Sequence, residues 1–453
     1  VRLIETQHQR IPWRWVFSIA LLDFAMISQE RTSGDPLTFT LKKFFDNPAL
    51  IGFIASFNIV FNILVGAVCL YVSDRIWTRY GRRRPFIVFS LLGVALCFVF
   101  IPLTGNAWLA TTLVIVWLAM ADVGATAGAL NREIIPPLQR GRAAAIANVI
   151  LYLQILFFYT FVIGRFDDVR LLRGLRVTGE QMIYWFAAIL LVLAALFVGL
   201  CMRERKPLKS VLGERISFVG FFASIFCQKR LWPVYMLSFA QAITQINLGP
   251  IAPLLYTEQW GYTKQQMGTN IAIGTAINIV LTIIIGFFAD KFDRIKMFLA
   301  GLTCAFVLNI VWYCFVQFYL PDKRPELWQI IVFGEMIVMV NLVGGMVAMP
   351  LLYDYVPRDN LSTCGAGMGI IRSVARLLVI NGTTLFVAGW SRFYCAPGQY
   401  DYFSALLLAI AIQGLGIGVV CLFVWMVKRG MVQAWGRMDI GAAPERSGAG
   451  AQP

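Results

Sequence analysis

The chain is a succession of long apolar runs separated by short polar or charged breaks. The pattern predicts helices, labelled α1–α6, over roughly 13–33, 48–72, 85–103, 107–131, 143–164 and 181–202. A second set, α7–α12, falls over roughly 231–256, 266–289, 296–319, 327–352, 362–388 and 402–427. A helix needs about 20 mostly apolar residues to cross ~30 Å of hydrocarbon, and each run meets that length. The breaks divide the chain into an N-terminal half (1–202), a basic linker (203–230), a C-terminal half (231–428) and a tail (429–453) that is rich in Gly, Ala and Ser from Gly441 and reads as disordered.

The two halves share loop landmarks. Asp74-Arg75 follows α2 and Asp290-Lys291 follows α8, 216 residues later; Pro136 follows α4 and Pro357 follows α10, 221 residues later. Nearly equal offsets predict an internal repeat, so the expected fold is an all-α membrane protein of twelve spans in two pseudo-symmetric six-helix bundles, the major facilitator architecture.

Composition sharpens this picture. Apolar residues make up 59% and charged residues 14%, against ~45–50% and ~25% in ordinary soluble domains, which excludes a soluble globular enzyme and a disordered chain. The net charge of +15 follows from a cytoplasmic excess of Lys and Arg, and no nucleic-acid partner is implied. With the N-terminus inside, 26 of the 39 Lys and Arg fall on the side of the termini, 11 fall in the opposite loops, and Arg372 and Arg376 lie within α11. The expectation is a multi-pass protein of the cell (inner or plasma) membrane, acting as a monomer, with both termini cytoplasmic. Six of nine cysteines sit in apolar runs, His8 is the single histidine, and neither CxxC nor HExxH spacing occurs. No metal, cofactor or nucleotide loop is expected, and proton chemistry within the membrane must use carboxylates.

Ionisable residues inside apolar spans are costly and are functional candidates by default. Asp122 in α4, Asp23 in α1 and Glu335 in α10 are the candidate proton-coupling groups, with Arg372, Arg376 and Arg132 as candidate charge partners. Candidate solute ligands combine an aromatic face with amides and hydroxyls: Trp117 on α4, Asn148 and Tyr152 on α5, and Gln241, Gln245 and Asn247 on α7, where Gly249-Pro250 can kink the helix. Asn58 and Asn62 lie one turn apart on α2. The α2–α3 loop reads Ser73-Asp74-Arg75-Ile76-Trp77-Thr78-Arg79-Tyr80-Gly81-Arg82-Arg83-Arg84-Pro85-Phe86. An acid there can stabilise a helix N-terminus, and its arginines can form charge-assisted bonds, so Asp74, Arg75, Gly81, Arg82 and Arg83 form a candidate cytoplasmic gate. Asp290, Lys291 and Arg294 stand in the equivalent place of the second half.

The Asp-Arg, spacer, Gly-Arg-Arg-Arg-Pro-Phe pattern resembles the α2–α3 motif of plant sucrose transporters and their animal relatives, in the glycoside–pentoside–hexuronide:cation symporter branch of the major facilitator superfamily. Asp122 with Asn131-Arg132-Glu133 is similar to the α4 Asp and later Arg of those carriers. Leu70 replaces the superfamily's usual glycine, and Gly124-Ala125 replaces the sucrose carriers' consecutive asparagines. Sodium-coupled relatives carry an acidic pair on α2, whereas this α2 offers the neutral Asn58 and Asn62, which favours protons over sodium. The resemblance implies a secondary active transporter moving a small solute, a sugar or glycoside, by proton symport through alternating access. Alternatives are a facilitator or exporter of another small solute, and a non-transporting membrane assembly factor on the same fold.

Overall fold

The computed structural model describes residues 13–432 apart from 74–75, 129, 131–139, 173–174, 203, 205–217, 246–247, 290–291, 321 and 357–360. Among the described residues nine helices are long and apolar enough to cross a membrane. In the N-terminal half, α1 is Trp13–Thr32, and α2 runs Pro48–Phe61, through a π turn at Asn62–Gly66, to Ala67–Ser73. Next come α3 (Arg84–Phe100), α4 (Ala107–Val123), α5 (Arg140–Phe157 with a π turn at Phe158–Val162) and α6 (Gly179–Cys201). In the second half, α7 is Trp232–Thr244, resuming as Ile251–Leu254 and a π turn at Leu255–Gln259. Then follow α8 (Lys264–Ala289), α9 (Arg294–Cys314 with a π turn at Phe315–Tyr319), α10 (Leu327–Asp354), α11 (Leu361–Tyr394) and α12 (Ser404–Lys428).

Local chemistry fixes the starts of several spans. Asn47, Asn106 and Asp293 each accept a backbone N–H of the first turn of α2, α4 and α9, the role short polar side chains play at helix N-termini. Thr178 and Gln181 form a reciprocal capping box at the start of α6. Proline in the first turn of α2, α3 and α7 gives up an N–H that has no intrahelical partner there.

The structure differs from the sequence expectation in four places. The α1–α2 loop contains a helix, Asp35–Lys42. The α5–α6 loop contains an antiparallel hairpin, Val169–Leu172 with Leu175–Thr178. The predicted continuous α7 is broken after Thr244, where Gln245 turns extended (φ −78°, ψ 105°) and Gly249 takes φ +51° before Pro250. Lastly, α4 stops at Val123: the N–H groups of Gly124 and Ala125 bond back three residues, to Ala121 and Asp122 carbonyls, and Ser90 of α3 donates to the Met120 carbonyl. Beyond that turn the chain resumes helical conformation at Thr126–Gly128.

Within the first half, α6 packs between α1 and α3, α4 lies against α3 and α2, and α5 lies along α1; within the second half, α10 packs on α9 and α8, and α12 on α7, α9 and α11. Each half has its own aromatic centre. Phe98, Trp117 and Tyr184 meet edge to face in the first, and Tyr355 meets Phe423 in the second. Among the described residues the bundles meet along α2 against α11 and α5 against α8. Glycines make both seams close. A Cβ on Gly52 would fall on Thr384 of α11, and one on Gly268 of α8 would fall on the Tyr159 carbonyl of α5. These contacts lie in the half of the molecule away from the termini, called the far side below.

Candidate functional site

A cavity of about 630 Å³ runs along the inner face of the N-terminal bundle. Its walls come from α1, α2, α4 and α5, and it extends from Ser33 at the far end of α1 to Gly128 and Ala147. Asp23, Asp122, Asn58, Asn62, Asn148 and Trp117, six of the residues expected from sequence, border it. Local backbone irregularities shape its floor. The π turn of α2 begins at Asn62 and the α4 helix breaks two residues after Asp122; single π turns recur at functional sites because they re-aim side chains.

Asn62 Nδ2 donates to Asp122 Oδ1 at 3.1 Å. Asp122 is 6% exposed, and its Oδ2 has no hydrogen-bond partner among the described residues. A Cβ on Gly66 would sit 3.7 Å from Asp122 Oδ1, so the end of the π turn closes over the same carboxylate. The arrangement holds one oxygen and leaves the other without a partner among the described residues. Beside it, Gln154 of α5 donates to Ser28 Oγ of α1. Trp117 is fully buried, its indole committed to Phe98 and Tyr184, so it contributes a packed wall. Tyr152 lies one turn from Asn148 on α5, outside the set of lining residues.

In the second half, Gln241 is buried and accepts from Arg372 at 3.1 Å, while Arg372 Nε donates to Ser238 Oγ at 3.0 Å. Gln245 is exposed in the α7 break. A helix interrupted at mid-span frees backbone groups for a ligand, as in the binding sites of other transporters. Glu335 lies against α8, where a Cβ on Gly274 would fall on its carboxylate; its Oε2 is buried without a partner among the described residues.

The far side carries a polar clasp that sequence reading missed. Lys42, at the end of the Asp35–Lys42 helix, pairs with Glu258 of α7 at 3.2 Å, and the Tyr402 hydroxyl donates to the other Glu258 oxygen at 2.6 Å. Gln259 bridges Asp401 and the Phe403 N–H, at 2.9 Å each. Lys264 of α8 pairs with Asp167 at 2.6 Å and lies over the Phe39 and Phe166 rings. Glu180 receives Lys43 and the Thr40 hydroxyl, and Tyr159 of α5 donates to Asp35 at 2.9 Å. Burial pushes the Asp35 carboxyl above the ordinary carboxylate range, against the hydrogen bond from Tyr159 and the charge of Arg31.

On the side of the termini, Gly81 (φ +113°) shapes the α2–α3 loop so that the backbone N–H groups of Arg82, Arg83 and Arg84 converge on the Glu204 carboxylate at 2.7–3.2 Å. This is an anion seated at a helix N-terminus, supplied by the residue three positions after α6. Arg294 forms a forked contact with Asp354 at 2.8 and 3.0 Å, joining the start of α9 to the end of α10. Asp74, Arg75, Arg132, Asn247, Asp290 and Lys291 lie outside the described residues.

The model of the Major Facilitator Superfamily matches residues 17–380. The chain belongs to the major facilitator superfamily. Membership places it among membrane transport proteins and not among enzymes. No curated protein sequence matches the chain. Among solved structures, this facilitator is similar to a D-xylose–proton symporter (TM-score 0.65, 15% identity, covering 90% of this chain and 97% of the other). It is also similar to a POT family transporter in complex with 5-aminolevulinic acid (TM-score 0.69, 10% identity, 92% and 96%) and to a nucleoside transporter (TM-score 0.63, 12% identity, 90% and 99%). At these identities the likeness shows the fold.

Proposed function

We propose that this facilitator is a proton-coupled symporter of a small polar solute, a sugar or glycoside, working by alternating access. The supporting observation is the Asn62–Asp122 pair: a carboxylate at the cavity wall with one oxygen held and the other unpartnered among the described residues. In a water-filled cavity such a group ionises readily; when the cavity dehydrates, the isolated charge becomes costly and a proton removes it. Asp23, on the same cavity, is the second coupling candidate, and Glu335 on α10 the third. The amides of Asn58, Asn62 and Asn148 supply the paired donors and acceptors that sugar hydroxyls require. With the termini in the cytoplasm, as the distribution of Lys and Arg favours, the clasp faces outward. The architecture shared with a D-xylose–proton symporter is in keeping with this reading.

The test is uptake into proteoliposomes with an acidic exterior, using a panel of labelled pentoses, hexoses and disaccharides. Asp122→Asn keeps the size of the side chain and removes its titration. Uphill accumulation should cease, and exchange between equal concentrations should persist because it moves no net proton. Continued uphill accumulation by Asp122→Asn would transfer the role to Asp23 or remove proton coupling altogether.

A further inference from the structure

The second half of the molecule carries a guanidinium, Arg376 on α11, whose direction can be worked out from its helix. The direction of Arg376 follows from its neighbours on α11. With ~100° per residue and Arg372 set at 0°, Arg376 lies at about 40°, Thr384 at about 120° and Asn381 at about 180°. Arg372 points to Ser238 and Gln241 of α7. Ser56 of α2 donates to Asn381 at 3.4 Å, and Thr384 abuts Gly52 of α2. Between these directions Arg376 faces the interior between α7 and α2. The highly exposed Leu378 and Leu385 fall at about 240° and 220°, on the opposite, lipid-facing arc.

Depth follows in the same way. From the Ser56–Asn381 contact, five residues back along α11 reach Arg376, about 7.5 Å toward the terminal side, and six residues on along α2 reach Asn62, about 9 Å the same way. Arg376 therefore lies at the level of the Asn62–Asp122 pair, and α11 packs along Asn62–Gly66 at that depth. Arg376 is exposed and makes no hydrogen bond or ion pair among the described residues. Among the described acids of its own half, Glu258 and Asp401 are engaged in the clasp and Asp354 on Arg294, while Glu335 lies against Gly274 of α8. Arg372 and Arg376 stand one turn apart, a spacing at which like charges repel. A guanidinium at mid-membrane is expensive unless an anion or water meets it.

We propose that Arg376, with Arg372 fixed behind it, is an anion-binding site on α11 that faces the cavity of the N-terminal half, and that the carried solute bears a carboxylate. The inference rests on the reading of the protein as a proton-coupled carrier of sugar-like solutes and narrows it to sugar acids of that size. The planar guanidinium takes a carboxylate through two parallel hydrogen bonds, while the Asn58, Asn62 and Asn148 amides receive the hydroxyls. A solute anion on Arg376 places negative charge opposite Asp122, and a proton on Asp122 relieves the repulsion as the cavity closes. A monoanion moving with one proton carries no net charge, so its uptake responds to a pH gradient and not to membrane voltage.

Binding and transport are measured separately on the full chain. Binding is read by thermal shift and calorimetry with matched pairs: a hexuronate against its hexose, and an aldonate against its alditol. The acid of a pair should bind and its neutral partner should bind at least about tenfold more weakly, the loss expected on removing a charge-assisted pair. Arg376→Gln should abolish that preference, and Arg376→Lys, which keeps the charge without the fork, should retain part of it. The wild-type comparison needs no variant and stands if Arg376→Gln fails to fold. The proposal is overturned if neutral partners bind as tightly as the acids, if no acid of the panel binds at millimolar concentration, or if folded Arg376→Gln keeps the preference. Uptake judges the underlying reading: neutral sugars accumulated against a pH gradient would leave proton symport standing and sink the anion site, whereas acids that bind but never accumulate would do the reverse.

Discussion

The Lys42–Glu258 pair should hold the far side of this facilitator closed, and its contribution can be estimated. The N–O distance is 3.2 Å and the side chains are 24% and 34% exposed, so the pair is neither dry nor fully solvated. Exposed pairs contribute ~0.2–1 kcal/mol and hydrogen bonds to charged groups ~1.5–3 kcal/mol. An intermediate value of about 1 kcal/mol corresponds to a roughly fivefold change in the open-to-closed ratio. Lys42→Met removes the charge and keeps much of the stem. Glu258→Gln removes the charge and leaves an oxygen for the Tyr402 hydroxyl. Spin labels at Gly105 and Asp322, exposed positions on the far side of the two bundles, would report the population by distance distributions. Each single variant should enlarge the long-distance fraction, and a double-mutant cycle should return a coupling near 1 kcal/mol. A coupling within ~0.3 kcal/mol of zero, the ordinary scatter of independent sites, would refute the assignment of the pair as a latch.

Two other predictions use the same logic. Burial raises the Asp35 carboxyl in the described state; if opening hydrates it, the closed form holds more protons, and closure should strengthen as pH falls through the window just above the ordinary carboxylate range. Asp35→Asn should flatten that dependence on the spin-label readout, and stronger closure at rising pH would contradict the sign. Glu204→Gln should weaken the three backbone bonds at the start of α3 by about 1–3 kcal/mol, lowering the melting temperature of the solubilised protein without changing solute affinity; an unchanged melting temperature would show the loop to be held by other contacts.

The spans were legible because lipid imposes one requirement on every segment, and twelve long apolar runs answer it in composition alone. Asp122 was legible for the same reason, as a charge where charge is costly. Gly249-Pro250 signalled a kink in α7, but not that the helix ends at Thr244. The clasp did not: Lys42, Glu258, Asp401 and Lys264 sit in polar loop margins where ionisable residues are ordinary, and their partners are far along the chain. Glu204 read as part of a basic linker because its partners are backbone N–H groups, which carry no residue code. The hairpin over 169–178 consists of two four-residue strands, too short for alternation to register. Trp117 looked like an open aromatic face; only the packing of Phe98 and Tyr184 reveals where its surface is spent.

The π turn at Asn62–Gly66 also sets the register in which the first half of this chain matches its second half. A π turn fits one extra residue into a helix, so beyond Gly66 every side chain of α2 is rotated by about 100° from the direction an unbroken helix would give it. The matching span, α8, is α-helical from Lys264 to Ala289 without such a turn. A single numerical offset can therefore align the far portion of α2 with α8, or the terminal portion, but not both. Helical wheels of α2 have to be drawn twice, with Asn62 as the last position of the first and Ala67 as the first of the second. Deleting one residue within the turn would merge the two wheels, swinging either the cavity amides or the loop toward the termini into lipid.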